Sequence, residues 1–310
     1  MITGLSAAND QFVTSVDNMQ TALNNAENQL STGYRVNQAS DAPAEVGDIF
    51  EARAALSSEN QTIQNLNAVQ TNVQAGDSAV QNAIQLLQNA ATLGSEGASS
   101  TVTQSQQNSL ATQVQSVLSQ LVGVSATQVN GVYIFSGDAS GSAPYQLDPT
   151  SPTGVDQLVT AQATALTADP TGITFQTSMT AQQLFDAQDT QGNPTPQNAF
   201  AALNNLQLAL QSGNVTNITA AISNVQTASD YLNQQLGFYG AAENRITSAI
   251  SLAQKFQVQT QTQLSNLQDT DMTSVAVQVT QETTALNAAM AAEAKRPTST
   301  LFDYLPVTTG

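Results

Sequence analysis

The sequence has no cysteine, no histidine and no tryptophan in its 310 residues. Without Cys or His there is no thiol nucleophile, no imidazole base and no soft ligand set for zinc. Cys–His and Ser–His–Asp catalysis and zinc centres are therefore excluded by composition. No disulfide can brace the fold, so cysteine usage assigns no compartment. Charge is scarce too: 9% of residues are Asp, Glu, Lys or Arg, against about 25% in an ordinary soluble protein. The charge that exists is mostly negative, 23 acidic residues to 6 basic for a net -17, which disfavours nucleic acid and anionic membrane as partners. The basic residues are Arg35, Arg53, Arg245, Lys255, Lys295 and Arg296, with none between Ala54 and Asn244. No apolar run approaches the roughly 18 residues of a membrane span. Met1 to Asp10 lacks the basic start and apolar core of a cleaved secretory signal. The expectation is a soluble chain whose export, where it occurs, takes an uncleaved route.

What the sequence does have is a seven-residue rhythm. Phe12, Val16, Met19, Leu23, Ala26 and Leu30 step by four and three and form one narrow apolar seam on a helix. Such a helix is marginal alone in water and needs a partner. Ser31-Thr32-Gly33 ends it, and Ala42-Pro43 marks an irregular stretch. From Asp48 a second seam runs through Ile49, Ala52, Leu56, Ile63, Leu66, Val73, Val80, Ile84 and Leu87, interrupted by Glu59, Gln70 and Asp77. Polar residues inside a seam fix register at some cost in stability. Gly94 to Gln104 reads as a turn. The helix after it, with Leu110, Val114, Val117, Leu121 and Val124, closes a helical hairpin.

The middle of the chain has another texture. Six of the nine prolines lie between Pro144 and Pro196, among Gly, Ser and Asp clusters and short runs such as Val132-Tyr133-Ile134-Phe135 and Ile173-Thr174-Phe175. This predicts a small, loop-rich β-containing domain. Helical signals return at Ala199, break at Gly213-Asn214, and resume with Ile222, Val225, Leu232, Leu236, Tyr239, Ile246 and Ile250 in one frame that Leu264 and Leu267 rejoin. Past Asp269-Thr270-Asp271 the seam shifts by one position to Val275, Val279, Leu286 and Ala289. The expected fold is mainly α, with long antiparallel coiled-coil helices from both chain ends and a small β-containing domain inserted in the middle. The expected division is residues 1–42 and 270–310 as terminal helices, 43–130 and 199–269 as a helical rod, and 131–198 as the insert.

Two motifs bring in a family. Leu30-Ser31-Thr32-Gly33-Tyr34-Arg35-Val36-Asn37, followed by Ala39-Ser40-Asp41-Ala42-Pro43, resembles the N-terminal signature of the flagellin superfamily. Leu267-Gln268-Asp269-Thr270-Asp271-Met272 is similar to its C-terminal signature, and Asn244-Arg245-Ile246 to a third patch. Gly131-Val132-Tyr133-Ile134-Phe135-Ser136-Gly137, Pro43 and the ending Leu301-Phe302-Asp303-Tyr304-Leu305 resemble the branch that joins hook to filament. Gly240-Ala241-Ala242-Glu243-Asn244-Arg245 is closer to flagellin itself. The resemblance implies a non-enzymatic structural part of the extracellular bacterial flagellum, with its termini in the inner layers of a tube and its middle facing outward. The termini of the free monomer would be disordered. Implied partners are further copies of the chain, other axial proteins such as hook-associated proteins and flagellin, and a flagellar export chaperone.

On this reading Phe12, Val16, Met19, Leu23 and Leu30 dock against the helix carrying Val275, Val279, Leu286 and Met290. Arg35 and the apolar tail Leu301, Phe302, Tyr304 and Leu305 complete the assembly interface. Flagellin forming the filament itself is the alternative. A soluble adhesin or binding module is a further one, for which truncation of residues 1–40 would be harmless. The long heptads also fit an intramolecular bundle. Arg35 and Arg245 are expected to pair with carboxylates such as Asp41 or Glu243, fixing register rather than clamping a substrate. Asp269 and Asp271 read as capping or solvated carboxylates, because a calcium loop there lacks its Gly and its Glu. No cofactor or metal is expected. Asn60-Gln61-Thr62, Asn214-Val215-Thr216 and Asn217-Ile218-Thr219 match a glycosylation pattern at a frequency that so Asn- and Thr-rich a chain produces by chance.

Overall fold

The structure, a computed structural model, describes residues 2–163 and 165–295. Seven helices carry most of them: α1 (Ile2–Thr32), α2 (Val46–Gly97), α3 (Gln104–Ser125), α4 (Ala181–Phe185), α5 (Ala199–Ser212), α6 (Val215–Gln268) and α7 (Met272–Ala294). Six short strands pair as three antiparallel hairpins: β1 (Gln128–Val129) with β2 (Val132–Tyr133), β3 (Tyr145–Leu147) with β4 (Val155–Gln157), and β5 (Leu166–Ala168) with β6 (Thr174–Gln176). The mainly helical fold with a small β-containing centre follows the expectation. No helix among the described residues is long and apolar enough to cross a membrane.

The chain forms two compact units, one made of Met1–Ser58 and Gln257–Gly310 and the other of Glu59–Phe256. In the larger unit α2 and α6 run antiparallel in one register. Gly76 faces the Tyr239 ring, Gly94 faces Ile222, and Gln74 Nε2 donates to Glu243 Oε1 at 2.9 Å. The predicted seam residues Leu66, Val73, Val80, Ile84 and Leu87 are the buried face of α2, and Val225, Leu232, Tyr239 and Ile246 that of α6. A seven-residue repeat thus does here what a narrow seam requires, keeping one stripe turned to one partner.

One sequence expectation is corrected. Gly94 does not open a turn, because α2 continues to Gly97. A Cβ on Gly94 would lie 2.8 Å from Ile222 Cγ1 and 2.9 Å from Leu206 Cδ1. The missing side chain lets helices approach, and that packing outweighs the modest helix penalty of glycine. The actual turn precedes Thr103, which caps α3 in a reciprocal box with Gln106. Gly213 at φ 66 ends α5, and the Asn214 side chain accepts from the Thr216 and Asn217 amides to start α6, as the sequence predicts.

The inserted segment is welded to the helices by a fully buried aromatic group. Phe135 meets Phe185 edge-on at 5.8 Å, and Phe200 of α5 lies 6.1 Å from Phe185 and 5.0 Å from Tyr145. Beside them Asp186 accepts from the Tyr145 hydroxyl at 2.9 Å, Asn198 Nδ2 at 2.6 Å and Gln188 Nε2 at 2.8 Å. Desolvation pushes the Asp186 carboxyl above its usual range, against the three donors, and pushes the Tyr145 phenol up as well. Asn198 also caps α5 through the Ala201 amide, so this polar group positions a helix.

Gly137 sits at φ 52, and a Cβ there would collide with the carbonyl oxygen of Gln162. Both obstacles are backbone, so no rotamer relieves them. Gly137→Ala is expected to destabilise the larger unit by about 2–3 kcal/mol, measured by urea unfolding, whereas Gly141→Ala, with open space at its Cβ, should stay within about 0.5 kcal/mol.

Candidate assembly interface

In the terminal unit α1 packs along α7. The end of α1 meets the start of α7, so the pair is antiparallel: Thr270 N donates to Gly33 O at 3.0 Å, and Tyr34 bridges Asp269. In the α1 seam Leu23 and Ala26 are buried, while Phe12, Val16, Met19 and Leu30 are only half-buried. On α7 Val275 is buried, Val279 and Leu286 are half-buried, and Met290 is 56% exposed. Val13 and Val277 add further exposed apolar surface. A pair of helices buries one strip of each seam, and what remains exposed is apolar area available to another helix at about 25 cal/mol per Å². Leu301, Phe302, Tyr304 and Leu305 lie outside the described residues.

At the junction of the helices the backbone forms a clasp. Gly33 takes φ 77, turning the chain out of α1. Arg35 N and Val36 N then both donate to Gln268 O, at 2.7 and 3.3 Å. The Arg35 guanidinium donates to Leu267 O at 2.7 Å and pairs with Glu45. Beneath it Val36, Ala42 and Ile49 form a small core with Leu264 and Leu267 packed against it. Asp271 caps α7 through the Thr273 and Ser274 amides, and Asp269 accepts from Ser265.

Residues 6–140 match the bacterial flagellin N-terminal helical region. The match spans less than half of the chain, its N-terminal part. No curated protein matches this chain by sequence. Among solved structures it is similar to a Vibrio parahaemolyticus protein described as flagellar hook-associated, with a TM-score of 0.64 at 14% identity over 74% of this chain and 100% of that one. It also resembles flagellar hook-associated protein 3 of Legionella pneumophila, with a TM-score of 0.59 at 13% identity over 71% and 98%. FlgL of Bacillus cereus follows, with a TM-score of 0.54 at 16% identity over 71% and 100%. At these identities the likeness is one of fold.

The two motifs that carry the sequence resemblance, Leu30–Asn37 and Leu267–Met272, are the two halves of the clasp. The sequence suggested that both matter without showing that they bond to each other. The one available hint was that the seams from both ends break there, at Gly33 and at Asp269–Asp271. The expected ion pairs are corrected. Asp41 turns back to accept the Asn37 and Gln38 amides, which hold its carboxyl below the usual range. Arg35 takes Glu45 instead. Arg245 stands two residues from Glu243, and side chains at that spacing do not share a helix face. It lies 4.4 Å over the Phe175 ring of β6, while Glu243 takes Gln74.

Proposed function

We propose that this chain is a subunit of the hook–filament junction, exported without a cleaved signal and built into a tube by packing its terminal helices. The observation that carries this reading is the α1–α7 pair. Its seams are spaced for helix-to-helix contact, yet Phe12, Val16, Met19, Val279 and Leu286 are only half-buried, and Met290, Val13 and Val277 stand exposed. Each copy would offer that remainder to neighbours, through head-to-tail contacts that repeat around a tube. Ordering of the helical termini would then accompany assembly, and burial of the seams would offset its entropic cost. Further copies of the chain, other axial proteins and an export chaperone are the partners this implies, outside the cell at the flagellum. The junction rather than the filament is favoured by the run Gly131–Gly137 and by a fold shared with hook-associated proteins along nearly their whole length.

Flagellin is the second reading, favoured by Gly240-Ala241-Ala242-Glu243-Asn244-Arg245. Seeded polymerisation of the purified protein, viewed by electron microscopy, separates the two. A junction subunit stays soluble alone and caps hook ends. Long filaments from the protein by itself would replace the junction with the filament. Removal of residues 1–40 is expected to abolish incorporation in either case, and unchanged incorporation would defeat the packing mechanism.

A further inference from the structure

Two opposite faces at the start of α2 are left uncovered by the described residues of the terminal unit, and their chemistries complement each other. On one face Phe50 is 63% exposed. Arg53, also exposed, follows one turn on, and the two border a shallow groove of mixed polarity with Val36, Asn37, Gln38 and Val46. Arg53 has no ion pair among the described residues. On the other face a groove is floored by Ala52, Ala55 and Leu267 and rimmed by Asp48 and Glu51, whose carboxylates are likewise unpaired among the described residues. At about 100° per residue the two sets centre roughly 160° apart around the helix.

An exposed aromatic beside an arginine is the residue pairing enriched at interface hot spots. A small-residue floor with an acidic rim is its counterpart in shape and charge. In a chain with 6 basic residues an unpaired arginine beside an exposed phenylalanine is a marked use of scarce charge. Knob and groove point away from each other, so they cannot meet within one chain. Nor can they meet in a two-fold dimer, whose interface uses one patch of both subunits. They fit a row of copies, each seating its knob in the next.

We propose that Phe50 and Arg53 of one copy dock in the Asp48–Glu51–Leu267 groove of the next, so that a second copy of this chain occupies both faces. This contact rests on the assembly reading above and names the lateral face it uses. The ring buries apolar area on the alanine floor, and the guanidinium meets the rim carboxylates, setting register and rejecting misaligned neighbours.

The absence of cysteine makes the test clean. Ala54→Cys lies on the knob side and Asn266→Cys on the groove side, both exposed. Full-length chain carrying both, assembled on seeds and treated with a short bismaleimide, is expected to give a ladder of dimers, trimers and higher species on denaturing gels, with neither single variant doing so. Dimers from Ala54→Cys alone would indicate a two-fold contact and overturn the proposal, as would an assembled double variant that gives no ladder. Arg53→Glu is expected to weaken assembly at least tenfold, with recovery on adding Glu51→Arg; no loss, or no recovery, counts against the contact. Deletion of residues 1–40 tests the underlying reading separately. If that deletion leaves assembly unchanged the terminal packing falls, whatever the ladder shows.

Discussion

Leu23→Asp is expected to raise the concentration needed for assembly about 100-fold while leaving the larger unit folded. Leu23 is buried on α1, the helix that packs along α7. Removing that side chain loses about 2–3 kcal/mol of burial, and a carboxylate in its place must also be desolvated or escape to water. The sum is at least the 2.8 kcal/mol that corresponds to two decades of an equilibrium constant. The loss falls on α1 and α7 because helices of this composition are marginal alone and hold by their mutual contact. Far-UV circular dichroism should lose part of its helical signal, and the thermal transition of the larger unit should stay in place, since no core residue of Glu59–Phe256 is touched. Asn24→Asp, one residue away and exposed, is the control and should assemble normally. Normal assembly by Leu23→Asp would mean that the α1 seam is not the packing surface.

That expectation uses positions legible in the sequence, and it marks where legibility ends. Periodicity identified Leu23, Val73, Leu87, Val225 and Ile246 as inward-facing because a seven-residue repeat admits one buried stripe. Each is buried. The breaks at Gly33 and Gly213 were legible for a local reason, as both residues take positive φ just past a helix end. Gly94 was not, since a glycine that breaks a helix and one that lets another helix come close look alike until the neighbour is known. The same limit hid the clasp. Arg35, Glu45 and the Leu267 carbonyl meet only because chain ends more than 200 residues apart pair through backbone groups, and backbone partners leave no mark in side-chain spacing. Phe50 is the mirror case. A phenylalanine in a helix reads as core, and only its 63% exposure shows that none of the described residues covers it.

The larger unit should be most sensitive at Phe200. Its ring is fully buried between Phe185 and Tyr145, at 6.1 and 5.0 Å, on a helix whose cap, Asn198, is bonded to the buried Asp186. Phe200→Ala removes the ring from contact with both the inserted hairpins and the helices. The surroundings can close only partly, because Leu203 and Leu206 on the same helix are themselves fully packed. The expected cost is about 3–5 kcal/mol. In a unit of this size that lowers the thermal midpoint by roughly 10 °C or more. Leu208→Ala on the same helix, where the side chain is exposed, should move it by no more than about 2 °C. The comparison separates tertiary packing from helix propensity, since both changes put alanine on α5 and alanine favours the helix. Equal midpoints for the two variants would mean that the aromatic group does not join insert to helices. Because Phe200 is far in sequence from the terminal seams, the variant should still enter assemblies below its melting temperature. Leu23→Asp and Phe200→Ala therefore predict opposite losses, one of assembly without unfolding the larger unit, the other of that unit's stability with assembly retained.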